Sequence, residues 1–411
     1  MDQTLRNHAD TIVSAAIRAV QPDEAVARAL AEKSFPGKVI LVAAGKAAWQ
    51  MAKAAYDCLG SSIHSGMIIT KYDHVKGPVG NLLCREAGHP VPDENSFSAT
   101  REALGLTAGL TAQDTVLFLL SGGGSALFEQ PLIPGEELQN ITGQLLACGA
   151  EITEINTIRK RLSGVKGGRF AQHCAPAQVF SIVLSDILGD PLDMIASGPA
   201  CPDSSTCAQA NAIAEKYNLQ LSEAARDLLN RETPKVLTNV TTKITGSVRQ
   251  LCVAAEKVCR ELGYEPILLT DQLCCQAKEA GSFLASILKT HAGSGKALAF
   301  LAGGETVVQL TGSGLGGRNQ ELALAAASGI DGIPGAAVFS VGSDGTDGPT
   351  DAAGGYVDYE TAATLRQQGF SIYETLQNND AYHALERCGG LIITGPTGTN
   401  VNDVAVALLK N

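Results

Sequence analysis

Two stretches of this sequence end alike. "VLSDILGDPLD" places Asp186, Asp190 and Asp193, and "VGSDGTDGPTD" places Asp344, Asp347 and Asp351, each set just beyond an apolar run in a loop of glycine and proline. Carboxylates past strand ends can bind Mg2+ and can take a proton from an attacking hydroxyl. Those are two of the tasks of phosphoryl transfer, the others being charge clamps. Aspartate is equally at home in turns and at helix starts, and any one of the six can serve there alone. Their spacing does not match a calcium-binding EF-hand loop.

The charge clamps have candidates too. "TVLFLLSGGGSALFEQP" (Thr115–Pro131) runs an apolar strand into Ser121, Gly122, Gly123, Gly124 and Ser125. Glycines there let backbone amides approach and face an anion; a bulge or hairpin turn is the competing, purely structural use. The next helical pattern begins at Glu136, so the expected cradle rests on loop amides and the two serine hydroxyls rather than on a helix dipole. "KVILVAAGKAAWQMA" puts Lys46 between a strand and a helix, at the carboxyl edge where parallel sheets bind ligands. The Gly-Lys pairs at Gly37, Gly45 and Gly295 are followed by Val or Ala, which rules out a Walker loop.

"TGSGLGGRNQE" contains a literal G-x-G-x-x-G from Gly312 to Gly317, with Asp344 after the following strand, and this pattern is the case for a dinucleotide-binding dehydrogenase. Against it, Val307–Leu310 reads as a hairpin arm joined to Ala297–Leu301 through "AGGET". The same glycines also recur in "SGVKGGR" and read as presenting Arg318 and Arg169, whose planar forks suit carboxylate or phosphate. In "ITGPTGTNVNDVAVALL" a last helix is expected, with Asn402 or Asp403 as its cap. Of the seven histidines only His89, in "EAGHPVPDENS", invites attention; no G-x-S-x-G elbow or H-E-x-x-H pair occurs.

These residues need elements to hold them. Short apolar runs alternate with helical patterns, which predicts an α/β fold with a largely parallel sheet. Strands are expected at Val39–Ala43, Met67–Thr70, Leu82–Glu86, Val116–Leu120 and Val179–Leu184, then at Pro266–Leu269, Ala297–Leu301, Val307–Leu310, Ala337–Val341 and Leu391–Ile393. At 411 residues two domains are expected. The polar stretch "TNVTTKITGS" marks their junction, giving domains of residues 1–240 and 241–411. Three fragments recur in order on its two sides: "FLLSGGGSALFEQ" with "FLAGGETVVQL", "SGVKGGR" with "SGLGGR", and "FSIVLSDILGDPLD" with "FSVGSDGTDGPTD". Two distantly similar halves would explain them.

A net charge of −11 and the absence of a basic run argue against nucleic acid or an anionic membrane as partner and leave small molecules. Eleven cysteines, odd in number and without paired C-x-x-C spacing, read as buried thiols in a reducing cytoplasm. The N-terminal stretch reads as an amphipathic helix with Leu5, Ile12, Ala16 and Val20 on one face, and no apolar run is long enough to span a bilayer.

Taken together, "VAAGKAAWQMA", "HPVPDENS", "LSGGGSAL", "NTIRKRLSGVKGGR", "LSDILGDPLDMIASGP", "GGETVVQLTGSGLGGRNQE", "GSDGTDGPTDAAGG" and "TGPTGTNVND" resemble the class II glycerate kinases, whose C-terminal part is the MOFRL domain. The resemblance runs from about residue 42 to 403. It implies a Rossmann-like N-terminal domain, a smaller MOFRL-like C-terminal one, and ATP- and Mg2+-dependent phosphorylation of D-glycerate to 2-phosphoglycerate in the cleft between them. Lys46 and Arg318 match positions regarded as catalytic or substrate-binding, and Asp186 falls in the family's strand-end Ser-Asp motif. The reading that follows has Ser121–Ser125 and Lys166 on the nucleotide, Lys46 and Arg318 neutralising charge, and Asp186 with Asp344 as metal ligands. Homodimerisation stays open, and because relatives are sometimes labelled hydroxypyruvate reductases, so does an NAD(P)H-dependent alternative.

Overall fold

The computed structural model describes residues 1–31 and 33–410. They form two compact units, one of Pro22–Thr245 and one of Met1–Gln21 with the chain from Gly246 onward.

In the first unit, β1 (Val39–Ala44), β2 (Ile63–Lys71), β3 (Leu83–Ala87), β4 (Thr115–Leu120), β5 (Gln178–Leu184) and β6 (Val240–Gly246) form one sheet in the order β3-β2-β1-β4-β5-β6. The pairs β1–β2, β2–β3, β1–β4 and β4–β5 are all parallel. Every residue of β1 and β4 is buried, because both sheet faces are covered, and this is why the two strands read as unbroken apolar runs. Their side chains alternate between two cores. Leu41, Ala43, Leu117 and Leu119 pack with Met51 and Ala55 of the helix Ala48–Leu59. Val42, Ala44, Phe118 and Leu120 pack on the other side with Phe128 and Phe170.

The strand order reverses between β1 and β4. The chain leaves β1 for one edge of the sheet and returns to start the other half at β4, so the connections diverge and leave a crevice at the carboxyl ends. Ala44 pairs with Leu120 at those ends. The Gly45-Lys46 turn and the Ser121–Ser125 loop therefore begin side by side.

The second unit holds β7 (Glu265–Leu273), β8 (Leu298–Gly304), β9 (Ala336–Gly342), β10 (Gly354–Asp358), β11 (Leu391–Ile392) and β12 (Asp403–Leu409) in the order β11-β10-β9-β12-β8-β7. Only β7–β8 is parallel; β12 runs antiparallel to both β8 and β9, and β10 antiparallel to β9 and β11.

Several expectations are corrected. The stretch taken for a last helix is β12, buried along its whole length between two neighbours, and a short apolar run buried on both faces looks alike as helix or strand. Val307–Leu310 is no hairpin arm: Val307 makes an isolated parallel bridge with Gln276, and Val307 and Leu310 are exposed rather than packed. The units meet inside the expected junction but after residue 240, leaving the first sheet its sixth strand. The helix Gln3–Ala19 packs with the second unit, not the first, its apolar face lying against the helix Val248–Glu261 while His8 Nδ1 meets the Tyr264 hydroxyl at 2.8 Å. Of the eleven free cysteines only Cys174, Cys252 and Cys259 are buried. The recurring fragments do occupy like places, at strand ends and helix starts, yet β12 separates β8 from β9 whereas β4 and β5 are direct neighbours.

Candidate active site

Gly45 is the first requirement of the site. Its φ is +126°, and a β-carbon there would collide with Ser121. The turn is tied to the neighbouring loop by Lys46 N donating to Gly122 O at 2.8 Å and Ala47 N donating to Ser121 Oγ at 3.0 Å. Ser121, expected at the nucleotide, is buried, and its hydroxyl oxygen fastens one loop to the other. Lys46 itself is exposed, one residue before the N-cap of the helix Ala48–Leu59.

In the loop, Gly122 and Gly123 make no backbone hydrogen bond through their amides among the described residues. Gly123 has φ +83°, and a β-carbon would lie 3.0 Å from His89 Cδ2 and 3.3 Å from Lys46 Cγ. A β-carbon on Gly122 would run into the Asp186 carboxylate. Lys46, His89, the two glycines and Asp186 therefore share one small space at the reversal point. His89, which sequence reasoning noticed without giving it a role, is half-buried. Burial first, then the charges of Lys46 and Lys71, lowers its pKa, which keeps the imidazole neutral at pH 7.

A one-turn helix, Gly124–Leu127, starts at once, where the sequence suggested a wait until Glu136. Its end is anchored from below. Phe118, Phe128 and Phe170 form a ring triad with centroids 4.8–5.5 Å apart. Lys166, expected at the nucleotide, is fully buried; its ammonium pairs with Glu129 at 2.8 Å and donates to the Phe128 carbonyl at 3.1 Å. Burial lowers its pKa to about 8, with Glu129 opposing. Lys166 supports the loop rather than presenting its charge. Arg169 is also diverted, donating to the carbonyls of Lys160, Arg161 and Ser163 at the end of the helix Ile152–Leu162.

Arg318, in the second unit, opens the helix Arg318–Ile330. It grips Asp403 with Nε at 2.6 Å and Nη2 at 3.0 Å, and Glu305 with Nη1 at 2.9 Å. Burial works against its charge, but Asp403 and Glu305 outweigh that and raise its pKa. Asp347 accepts from the backbone N–H groups of Asn319 and Gln320 and so caps this helix. Burial, with the Asp403 charge adding to it, raises the Asp347 pKa to about 6. Asp344, expected to bind metal, accepts from Thr346 N at 3.0 Å and belongs to a different unit from Asp186. Asp403 and Glu305 were missed as site residues, the first because its segment read as a helix.

In the G-x-G-x-x-G loop the amides from Gly312 to Leu315 are already engaged. Thr311 N and Gly312 N donate to Asn379 Oδ1, Ser313 N to Asn378 Oδ1, Gly314 N to Asn378 O and Leu315 N to Asp380 Oδ1.

Comparison with known proteins places this geometry in context. Residues 8–230 match the family model DUF4147, described as a domain of unknown function, and residues 298–403 match the MOFRL family. The chain is 52% identical to a D-glycerate 2-kinase of Thermotoga maritima over 99% of both chains. A crystal structure of glycerate kinase from that organism superposes with a TM-score of 0.95, at 51% identity over all of both chains. A glycerate 2-kinase of Pyrococcus horikoshii is 39% identical over 97% of this chain and 96% of its own. A protein of Agrobacterium vitis, named as a hydroxypyruvate reductase, is 36% identical over 99% of this chain and 95% of its own. No helix among the described residues is long and apolar enough to cross a membrane.

Proposed function

This chain belongs to the DUF4147–MOFRL family of glycerate kinases, and from that premise we propose how its residues transfer the γ-phosphoryl group of ATP to a hydroxyl of D-glycerate, forming ADP and 2-phosphoglycerate. The observation that carries the proposal is the convergence of Lys46, Gly122, Gly123 and Asp186 at the point where the sheet order reverses.

Phosphoryl transfer asks a protein for position and charge neutralisation more than for covalent chemistry. The Gly122 and Gly123 amides hold phosphate oxygens. The Lys46 ammonium offsets the charge of the transferring group. Asp186 orients the attacking hydroxyl and accepts its proton as the new O–P bond forms and the bond to ADP breaks. Arg318 keeps one N–H on each terminal nitrogen beyond those taken by Asp403 and Glu305, enough to receive a carboxylate or phosphate oxygen.

Mg2+, when bound, would supply neutralisation of phosphate charge. Among the described residues no three His, Cys, Asp or Glu side chains converge as a cage. One or two carboxylates plus phosphate oxygens suit Mg2+ better than such a cage does. Asp186 lies against Gly122, and Asp190 on the same loop has a buried oxygen, Oδ1, without a hydrogen-bond partner among the described residues; these two would hold the ion. Eleven unpaired cysteines suit a reducing compartment such as the cytoplasm.

The kinase names of the full-length relatives favour this reading over a reductase, and the engaged amides from Gly312 to Leu315 weaken the case for a dinucleotide loop. In a coupled ADP-release assay, Lys46→Ala and Asp186→Asn should each lower kcat by about 100-fold or more. Near-normal turnover in either variant would remove that residue from the mechanism.

A further inference from the structure

The backbone is most unusual at Ala196, Ser197 and Gly198, three consecutive left-handed residues with φ of +50°, +60° and +65°. Left-handed alanine and serine are strained, so their surroundings must enforce them. Gly167 N donates to Ser197 O at 3.0 Å and Gly168 N to Gly198 O at 2.8 Å. The distortion aims the fully buried Ser197 hydroxyl between two groups, Asn156 Oδ1 at 2.8 Å and Ser125 Oγ at 2.8 Å.

Counting protons fixes the direction of this chain. The amide nitrogen of Asn156 faces the Met194 sulfur at 3.8 Å, which can accept but not donate, so Oδ1 is the end turned to Ser197. Ser197 has one proton and spends it on Asn156. Its oxygen must then accept the proton of Ser125. Ser125, half-buried at the start of the loop helix and held through its carbonyl by Arg159 at 3.0 Å, is left with only lone pairs to offer. Phosphate oxygens of ATP act as acceptors near neutral pH, so they do not pair with a hydroxyl that has only lone pairs to offer.

We infer that Ser125 is a recognition residue for the sugar acid, accepting a hydrogen bond from a glycerate hydroxyl, and that Ser197 and Asn156 are positioning residues that commit its proton inward. This rests on the kinase reading above and reassigns Ser125 from the nucleotide to the acceptor substrate.

The test is steady-state kinetics of Ser125→Ala, Ser197→Gly and the double variant, varying ATP and D-glycerate separately. Glycine keeps the left-handed turn without a side chain, and Ser125→Ala gives the same reading without touching that turn. Each single variant should raise the KM for glycerate about tenfold while the ATP KM holds, and the double variant should cost no more than Ser125→Ala alone. A rise in the ATP KM instead, additive effects, or a changed Mg2+ requirement with both KM values unmoved would overturn the inference. Failure of the wild-type protein to release ADP with glycerate would overturn the kinase reading itself.

Discussion

At the scale of single residues, Gly123 is where a side chain would do most harm to function and least to the rest of the molecule. Gly123→Val must adopt φ +83° and push against His89 and Lys46. It should raise the ATP KM at least tenfold while costing about 1–2 kcal/mol of stability, which kinetics and urea unfolding read separately. Asp347 gives a signed pH dependence. Because its folded pKa of about 6 lies above the ordinary carboxylate value, the folded chain binds the proton more tightly, and stability from this group grows as pH falls from 7 toward 4. The melting temperature of the wild type relative to Asp347→Asn should therefore rise over that range; a constant difference would show that Asp347 is not raised. The sequence nominates Lys46 and Asp186 through residue type and a place just past a strand, and the structure sets both beside the Gly122–Gly123 turn. Lys166 and Arg169 turn inward to Glu129 and to backbone carbonyls, an outcome beyond the sequence, which does not tell whether a polar side chain faces a ligand or fastens the backbone.

Among the elements, the loop Ser121–Ser125 is held by what lies beneath it. The buried Lys166–Glu129 pair, Arg159 on the Ser125 carbonyl and the three phenylalanine rings fix its two ends. Removing one partner leaves a buried charge uncompensated, so Lys166→Ala should destabilise the protein by about 3–5 kcal/mol. Lys166→Met with Glu129→Gln should recover only part of that in urea unfolding, since the Lys166 site is then neutral but Arg159, 4.0 Å from Glu129, loses its carboxylate. Alternating elements and the continuous apolar character of β1 and β4 made the first sheet readable. The central strand β12 was not, since seven buried residues carry no period that separates strand from helix. Likewise "VVQL" has strand-like composition, yet only Val308 packs on a core while Val307 and Leu310 stay exposed.

For the whole molecule, the division into two units follows from two separate sheets with their own cores. The N-terminal helix joins the second unit because Leu5, Ile12 and Ala16 find their apolar partner in a helix more than 200 residues away, a pairing no local pattern reveals. Repeated fragments pointed to like local geometry in both units but could not disclose that their strand orders differ. The central claim concerns the chemistry proposed for the first unit's reversal point. Incubating the protein with ATP, Mg2+ and D-glycerate and following the products by phosphorus NMR tests it most directly. The account predicts stoichiometric ADP and a phosphomonoester on C2 of glycerate. Phosphate on C3, or NADH oxidation with hydroxypyruvate and no ADP from glycerate, would contradict it.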